Sequence, residues 1–112
     1  RSPVSDRPAN ALRGEAEIVI DGTRLILRPS FAALVAAEEE LGSLFDLVER
    51  AASGRLLLSE IVTLFWHVAR DRPEHLTRDQ LGEGMMKLGL AGITPALKIL
   101  LKQILSGRSA DS

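Results

Sequence analysis

The sequence predicts an α+β domain in which an antiparallel β-hairpin packs on a bundle of about five short helices. Three observations carry that expectation. Glu15 to Ile20 and Thr23 to Arg28 alternate apolar and polar residues on either side of Asp21-Gly22. Ser or Thr precedes each of several segments with helical spacing of apolar residues. The composition, 46% hydrophobic and 26% charged over 112 residues, is that of a single globular domain with one modest core.

The hairpin spans residues 15–28. Asp-Gly favours a two-residue type I′ turn because both central positions need positive φ. Ile18 and Ile20 on one strand, and Leu25 and Leu27 on the other, then share a face at period two. Two strands alone are marginal in water, so that face requires helices against it.

The first helix is expected over 31–41, with Ser30 as N-cap and Gly42 as the left-handed residue that ends it. Phe31, Leu34, Val35 and Leu41 recur at helical spacing, while Glu38, Glu39 and Glu40 largely face water. Ser43 opens a second helix over 44–52, with Leu44, Leu47 and Val48 on one side. The third, over 60–70 after Ser59, is apolar nearly all round, with Phe65 and Trp66 at its centre. Truncating either aromatic to Ala is expected to cost about 3–5 kcal/mol. Thr77 and Gln80 form a capping box for a fourth helix over 78–88, where Gly82 and Gly84 signal close packing or local looseness. Thr94 and Pro95 open a fifth helix over 95–105, with Leu97, Leu100, Leu101, Ile104 and Leu105 in one stripe and Lys98 and Lys102 opposite. The globular part is thus 13–105, between flexible tails at 1–12 and 106–112.

A formal net charge of −1 gives no overall electrostatic case for nucleic acid or an anionic membrane. The charge is uneven: residues 31–60 sum to −4 and residues 84–112 to +3. Cysteine is absent, which removes disulfides and thiolate chemistry and suits a cytoplasmic protein. No apolar run in the sequence reaches the roughly 20 residues that span a bilayer, and no signal peptide is expected.

No catalytic, cofactor or metal site is expected. His67 lies within a buried helix pattern and His75 in a Pro-broken loop, too few and too far apart for a metal set. Glu38, Glu39 and Glu40 fan out by about 100° each on a helix and do not converge for acid–base work. Ser30, Ser43, Ser59 and Thr77 are read as caps, and no P-loop lysine accompanies the glycines. A helix-turn-helix regulator of DNA is a third possibility, but neither candidate recognition helix is basic.

With the segments placed, the chain resembles the gene transfer agent family protein, a small phage-type protein of tail gene clusters usually classed with tail assembly chaperones. The resemblance runs through Asn10-Ala11-Leu12-Arg13-Gly14-Glu15, Ile20-Asp21-Gly22 and Leu25 to Phe31. It is strongest at Leu34, Glu38 and Gly42, the family's Leu-x-x-x-Glu-x-x-x-Gly pattern, and continues at Gly54-Arg55-Leu56 and Leu88-Gly89-Leu90. Trp66-His67 and Ala69 to Pro73 depart from the smaller residues of the family.

The resemblance implies a non-enzymatic role in building a phage-like tail in the bacterial cytoplasm. The protein partner would be the tape-measure protein, held by a chaperone, or tail-tube protein, if the chain is itself a tail tube component. Leu34, Glu38, Leu41, Leu97, Leu101 and Ile104 are the expected partner-binding residues.

Overall fold

The computed structural model describes residues 15–106. Of the flexible tails expected at 1–12 and 106–112, residues 1–12 and 107–112 lie outside the described residues, while Ser106 belongs to the last helix. Within the described residues the architecture is α+β: a three-stranded antiparallel sheet and four helices. The strands are β1 (Ala16–Ile20), β2 (Thr23–Leu27) and β3 (Ala69–Arg70), in that spatial order. The helices are α1 (Phe31–Leu41), α2 (Leu44–Ala52), α3 (Leu58–Val68) and α4 (Arg78–Ser106).

The hairpin forms as its sequence dictates. Asp21 and Gly22 take φ of 49° and 80°, and Ile20 pairs with Thr23 across the turn. That register puts Ile18, Ile20, Leu25 and Leu27 on one face, each no more than 5% exposed. Burial of a side chain of this size contributes about 1.5–3 kcal/mol.

The third strand was not expected. The predicted 60–70 helix stops at Val68, where Ala69 turns to extended backbone and its N–H still donates to the Phe65 carbonyl. Ala69 and Arg70 then pair with Leu27 and Ile26. The Arg28 N–H donates to the Val68 carbonyl at 2.7 Å and prolongs this pairing. A two-residue strand has no periodicity of its own; it forms because β2 offers an unpaired edge. Glu15, 7% exposed, lies 3.6 Å from the Arg28 guanidinium and 3.9 Å from that of Arg70.

The expected five helices are four. The last two are one element, α4, interrupted at Gly89, whose φ of 82° and ψ of 160° break the helical path. Pro95 lies inside α4 rather than at its start. Thr94 is accordingly no cap: its hydroxyl donates to the Leu90 carbonyl at 2.6 Å, the bond back to i−4 that a mid-helix Thr makes. By length and composition alone α4 could cross a membrane. Here Leu81, Met85, Ile93, Ala96 and Leu100 along it are buried in the core.

Other caps hold. Ser30 and Ser43 accept from the Ala33 and Asp46 amides at 3.2 and 3.3 Å. Thr77 and Gln80 each accept from the other's amide, at 3.1 and 2.9 Å. Ser59 does not cap α3, because the helix begins at Leu58, two residues before the expected start. Instead the Glu60 carboxylate accepts from the Leu57 amide at 2.8 Å.

The core sits between the sheet, α3 and α4. Phe65, Leu64, Leu81, Met85 and Leu100 are fully buried, whereas Trp66 is only half-buried. Helix α4 crosses β1 where Gly84 meets Ile20. A Cβ built on Gly84 would stand 2.2 Å from Ile20 Cγ2, a methyl fixed at the branch point of its side chain. The glycine is therefore required by close approach. At Gly82 a Cβ would meet only the Val62 methyls at 3.6 Å, an ordinary contact.

These two glycines make a controlled pair. Gly84→Ala is expected to destabilise by about 1–3 kcal/mol through overpacking. Gly82→Ala is expected to be neutral or to stabilise by up to about 1 kcal/mol through helix propensity. Urea unfolding of both variants checks the pair; equal effects would remove the close-approach argument.

Candidate protein-binding surface

Helix α1 is held to α3 by small residues. Ala37 is fully buried and Ala33 packs against the core, so the two helices approach closely. That register turns Phe31, at the first helical position, outward: it is 85% exposed, and Val35 one turn on is exposed as well. The expectation that both contribute to the buried stripe is corrected here. In α2, Leu44 and Leu47 point inward, which leaves Phe45 74% exposed. Leu105 at the end of α4 is 61% exposed. Two open phenylalanines on adjacent helices are unusual, since an aromatic ring buries about 150–250 Å² when it finds a partner.

The α1–α2 corner is rigid. Gly42 takes φ of 81°, its N–H donates to the Glu38 carbonyl at 2.9 Å, and the Glu38 carboxylate accepts from the Leu44 amide at 3.2 Å. Between this corner and the end of α4 lies a trough of about 220 Å³, lined by Leu34, Glu38, Leu44, Phe45, Val48, Ile104 and Leu105.

Of the six residues expected to bind a partner, the trough brings together Leu34, Glu38 and Ile104. Leu41 and Leu97 are partly buried and pack against the core, and Leu101 is half-buried without lining the trough. Sequence reasoning missed Phe45, Val48 and Leu105. The signal for Phe45 was present: Leu44 and Leu47 fix the buried side of α2, and residue 45 lies about 100° away from residue 44.

The three glutamates of α1 separate as their helical fan requires, but two are engaged rather than free in water. Glu38 serves the α2 amide. Glu40 faces α3 and α4, where it accepts from His67 Nε2 at 2.6 Å and from both Arg78 Nη atoms at 2.7 and 3.0 Å. The Arg78 hydrogen bonds first, and the His67 bond second, lower the Glu40 carboxyl from 4.5 to about 2. In turn Glu40 raises Arg78. Arg72 stacks 3.9 Å from the Trp66 ring centroid and donates to the Trp66 carbonyl at 2.5 Å, while Arg78 lies 5.6 Å from the same ring. This clamp ties α1, α3 and α4 together behind the exposed face. Across α2, Arg50 pairs with Glu60 at 2.5 Å and holds its carboxyl below the ordinary value.

Among the described residues, no three His, Asp or Glu side chains form a metal-holding group. His67 is spent on Glu40, and His75 is exposed.

The model of the family described as Phage tail tube protein, GTA-gp10, matches residues 13–107. The chain belongs to this family. The match takes in every described residue, so the core, the clamp and the exposed face are all inside it. The resemblance to a gene transfer agent and phage tail family therefore holds, under a description that names a tail tube protein rather than a chaperone. No curated protein and no solved structure matches the chain.

The clamp predicts an acid limit. Because the folded-state pKa of Glu40 lies below its unfolded value, its contribution is complete above about pH 4.5 and is lost as pH falls through about 2. Chemical unfolding of the wild type and of Glu40→Gln between pH 7 and 2 should give curves that converge at the acid end. A constant separation between them over that range would contradict the assignment.

Proposed function

We propose that this protein is a structural component of a phage-like tail, of the kind made by gene transfer agents and prophages. It acts by binding neighbouring protein subunits rather than by catalysis. The family match over residues 13–107 carries the reading, because a tail tube family implies protein partners within the tail. The surface supports it. A domain with a closed core has no folding reason to leave Phe31 and Phe45 open, and exposed apolar patches of this kind mark interaction sites.

The tape-measure chaperone is the second reading, favoured only by the form of the trough, which could accept an amphipathic helix. The tail tube description of the family weighs against it. On either reading the protein is made and assembled in the bacterial cytoplasm, and only a tail component leaves with the particle.

Quantitative mass spectrometry of purified particles separates the two. A tail component is recovered in fixed stoichiometry with the other tail proteins. Absence from particles, with recovery on the tape-measure protein in cell extracts, would replace this reading with the chaperone. Phe31→Ser and Phe45→Ser, singly, should leave unfolding stability within about 0.5 kcal/mol, as substitutions at exposed sites do. Both should nevertheless reduce incorporation into particles; normal incorporation of the pair would remove this face from the assembly.

A further inference from the structure

A groove of about 440 Å³ runs between α3 and the first half of α4, and it shares no residue with the trough. The two helices are antiparallel along it. Gly82 faces the Val62 methyls and Arg78 lies near the Trp66 ring, so the same four-residue spacing brings Leu58 beside Met86 at the other end. Val62 and Gly82 form the floor, and Leu58 and Met86 are exposed. Gly82 keeps that floor open: no side chain covers Val62 from this position, although a Cβ would fit at an ordinary 3.6 Å. Unlike Gly84, this glycine is not required by the core.

The groove takes its charge from its own lining. Asp79, Gly82, Glu83 and Met86 share one face of α4 at i, i+3, i+4 and i+7, so two carboxylates border the apolar floor. Both acids are exposed and have no ion-pair partner among the described residues. The α3 side adds only the hydroxyls of Ser59 and Thr63. Arg78, the one base in the lining, is already held by both carboxylate oxygens of Glu40. Two uncompensated negative charges thus flank an apolar strip about 10 Å long, the two helical turns from Asp79 to Met86.

Two packed helices with an open strip between them accept a third helix, and charge decides which. A two-fold pairing with a second copy would set carboxylates against carboxylates. An acidic helix meets the same opposition. We infer that this groove docks an amphipathic helix of a partner protein whose apolar stripe is flanked by Lys or Arg, with Asp79 and Glu83 receiving the bases and Leu58 and Met86 closing on the stripe. The occupant is set by this groove alone, independently of the tail reading, and Phe31 and Phe45 stay uncovered when it is filled.

The probe is a synthetic peptide of about four helical turns, with Leu at i, i+4, i+7 and i+11 and Lys on one flank; the same peptide with Glu for Lys is the control. Fluorescence anisotropy with the full chain should give a Kd of about 1–100 μM for the basic peptide, weakening about tenfold as salt rises from about 0.05 to 0.5 M. The acidic peptide should not bind. Asp79→Asn with Glu83→Gln should weaken binding about tenfold or more. Gly82→Leu, which fills the floor, should abolish it, each variant keeping its circular dichroism spectrum. Should Gly82→Leu fail to fold, the paired carboxylate variant still decides. Amide chemical shifts should move at Val62, Gly82 and Met86 and stay fixed at Phe31 and Phe45. No binding, equal binding of the two peptides, or full affinity in the folded paired variant overturns the inference. So do shifts confined to Phe31 and Phe45, and so does self-association of the chain through this groove in place of peptide binding.

Discussion

Ile20 of β1 packs onto the bare backbone of Gly84 in α4, and this contact fixes the distance between the sheet and the longest helix. Any side chain at position 84 would force α4 and β1 to shift apart. That shift loosens the cover over the apolar face made by Ile18, Ile20, Leu25 and Leu27, which a small sheet needs. Because α4 runs on from this contact to Ser106, its placement also decides where Ile104 and Leu105 arrive. They arrive beside α1 and α2 and complete the trough. The outer surface is thus set by a contact within the core.

A second constraint acts from the other side. Helix α1 approaches α3 through alanines, and the Glu40 clamp with His67 and Arg78 holds its rotation. With that face turned inward, Phe31 and Val35 have nowhere to go but solvent. Glu38 fixes the start of α2 and so the outward direction of Phe45. Hydrophobic exposure on this face is the consequence of a rigid, well-satisfied frame. Buried side-chain polar atoms without a hydrogen-bond partner are absent among the described residues, which agrees with that rigidity.

Much of this was legible in the sequence because the signals were local. Asp21-Gly22 dictated the turn, Ser30, Ser43 and Thr77 marked three helix starts, and Gly42 marked a stop. What failed was decided by partners far along the chain. Ala69 and Arg70 became a strand because β2 had an open edge, not through any pattern of their own. Thr94-Pro95 looked like a helix start, yet the helix had already resumed after Gly89, so the residues were absorbed into its interior. Of the six residues expected on the surface, Leu34, Glu38 and Ile104 line the trough, while Leu41 and Leu97 turned to the core. Apolar spacing identifies a stripe on a helix, but only the neighbouring helix decides which edge of that stripe is covered.

The central claim is that a frame fixed by the α4–sheet contact and the Glu40 clamp leaves the α1–α2 face for assembly in a phage-like tail. Hydroxyl-radical footprinting of the free protein and of the protein inside purified particles tests it most directly. The account predicts strong labelling of Phe31 and Phe45 in the free state and marked loss of both in particles, with Phe65 and Met85 protected in each. Equal labelling of Phe31 and Phe45 in the two states would contradict it.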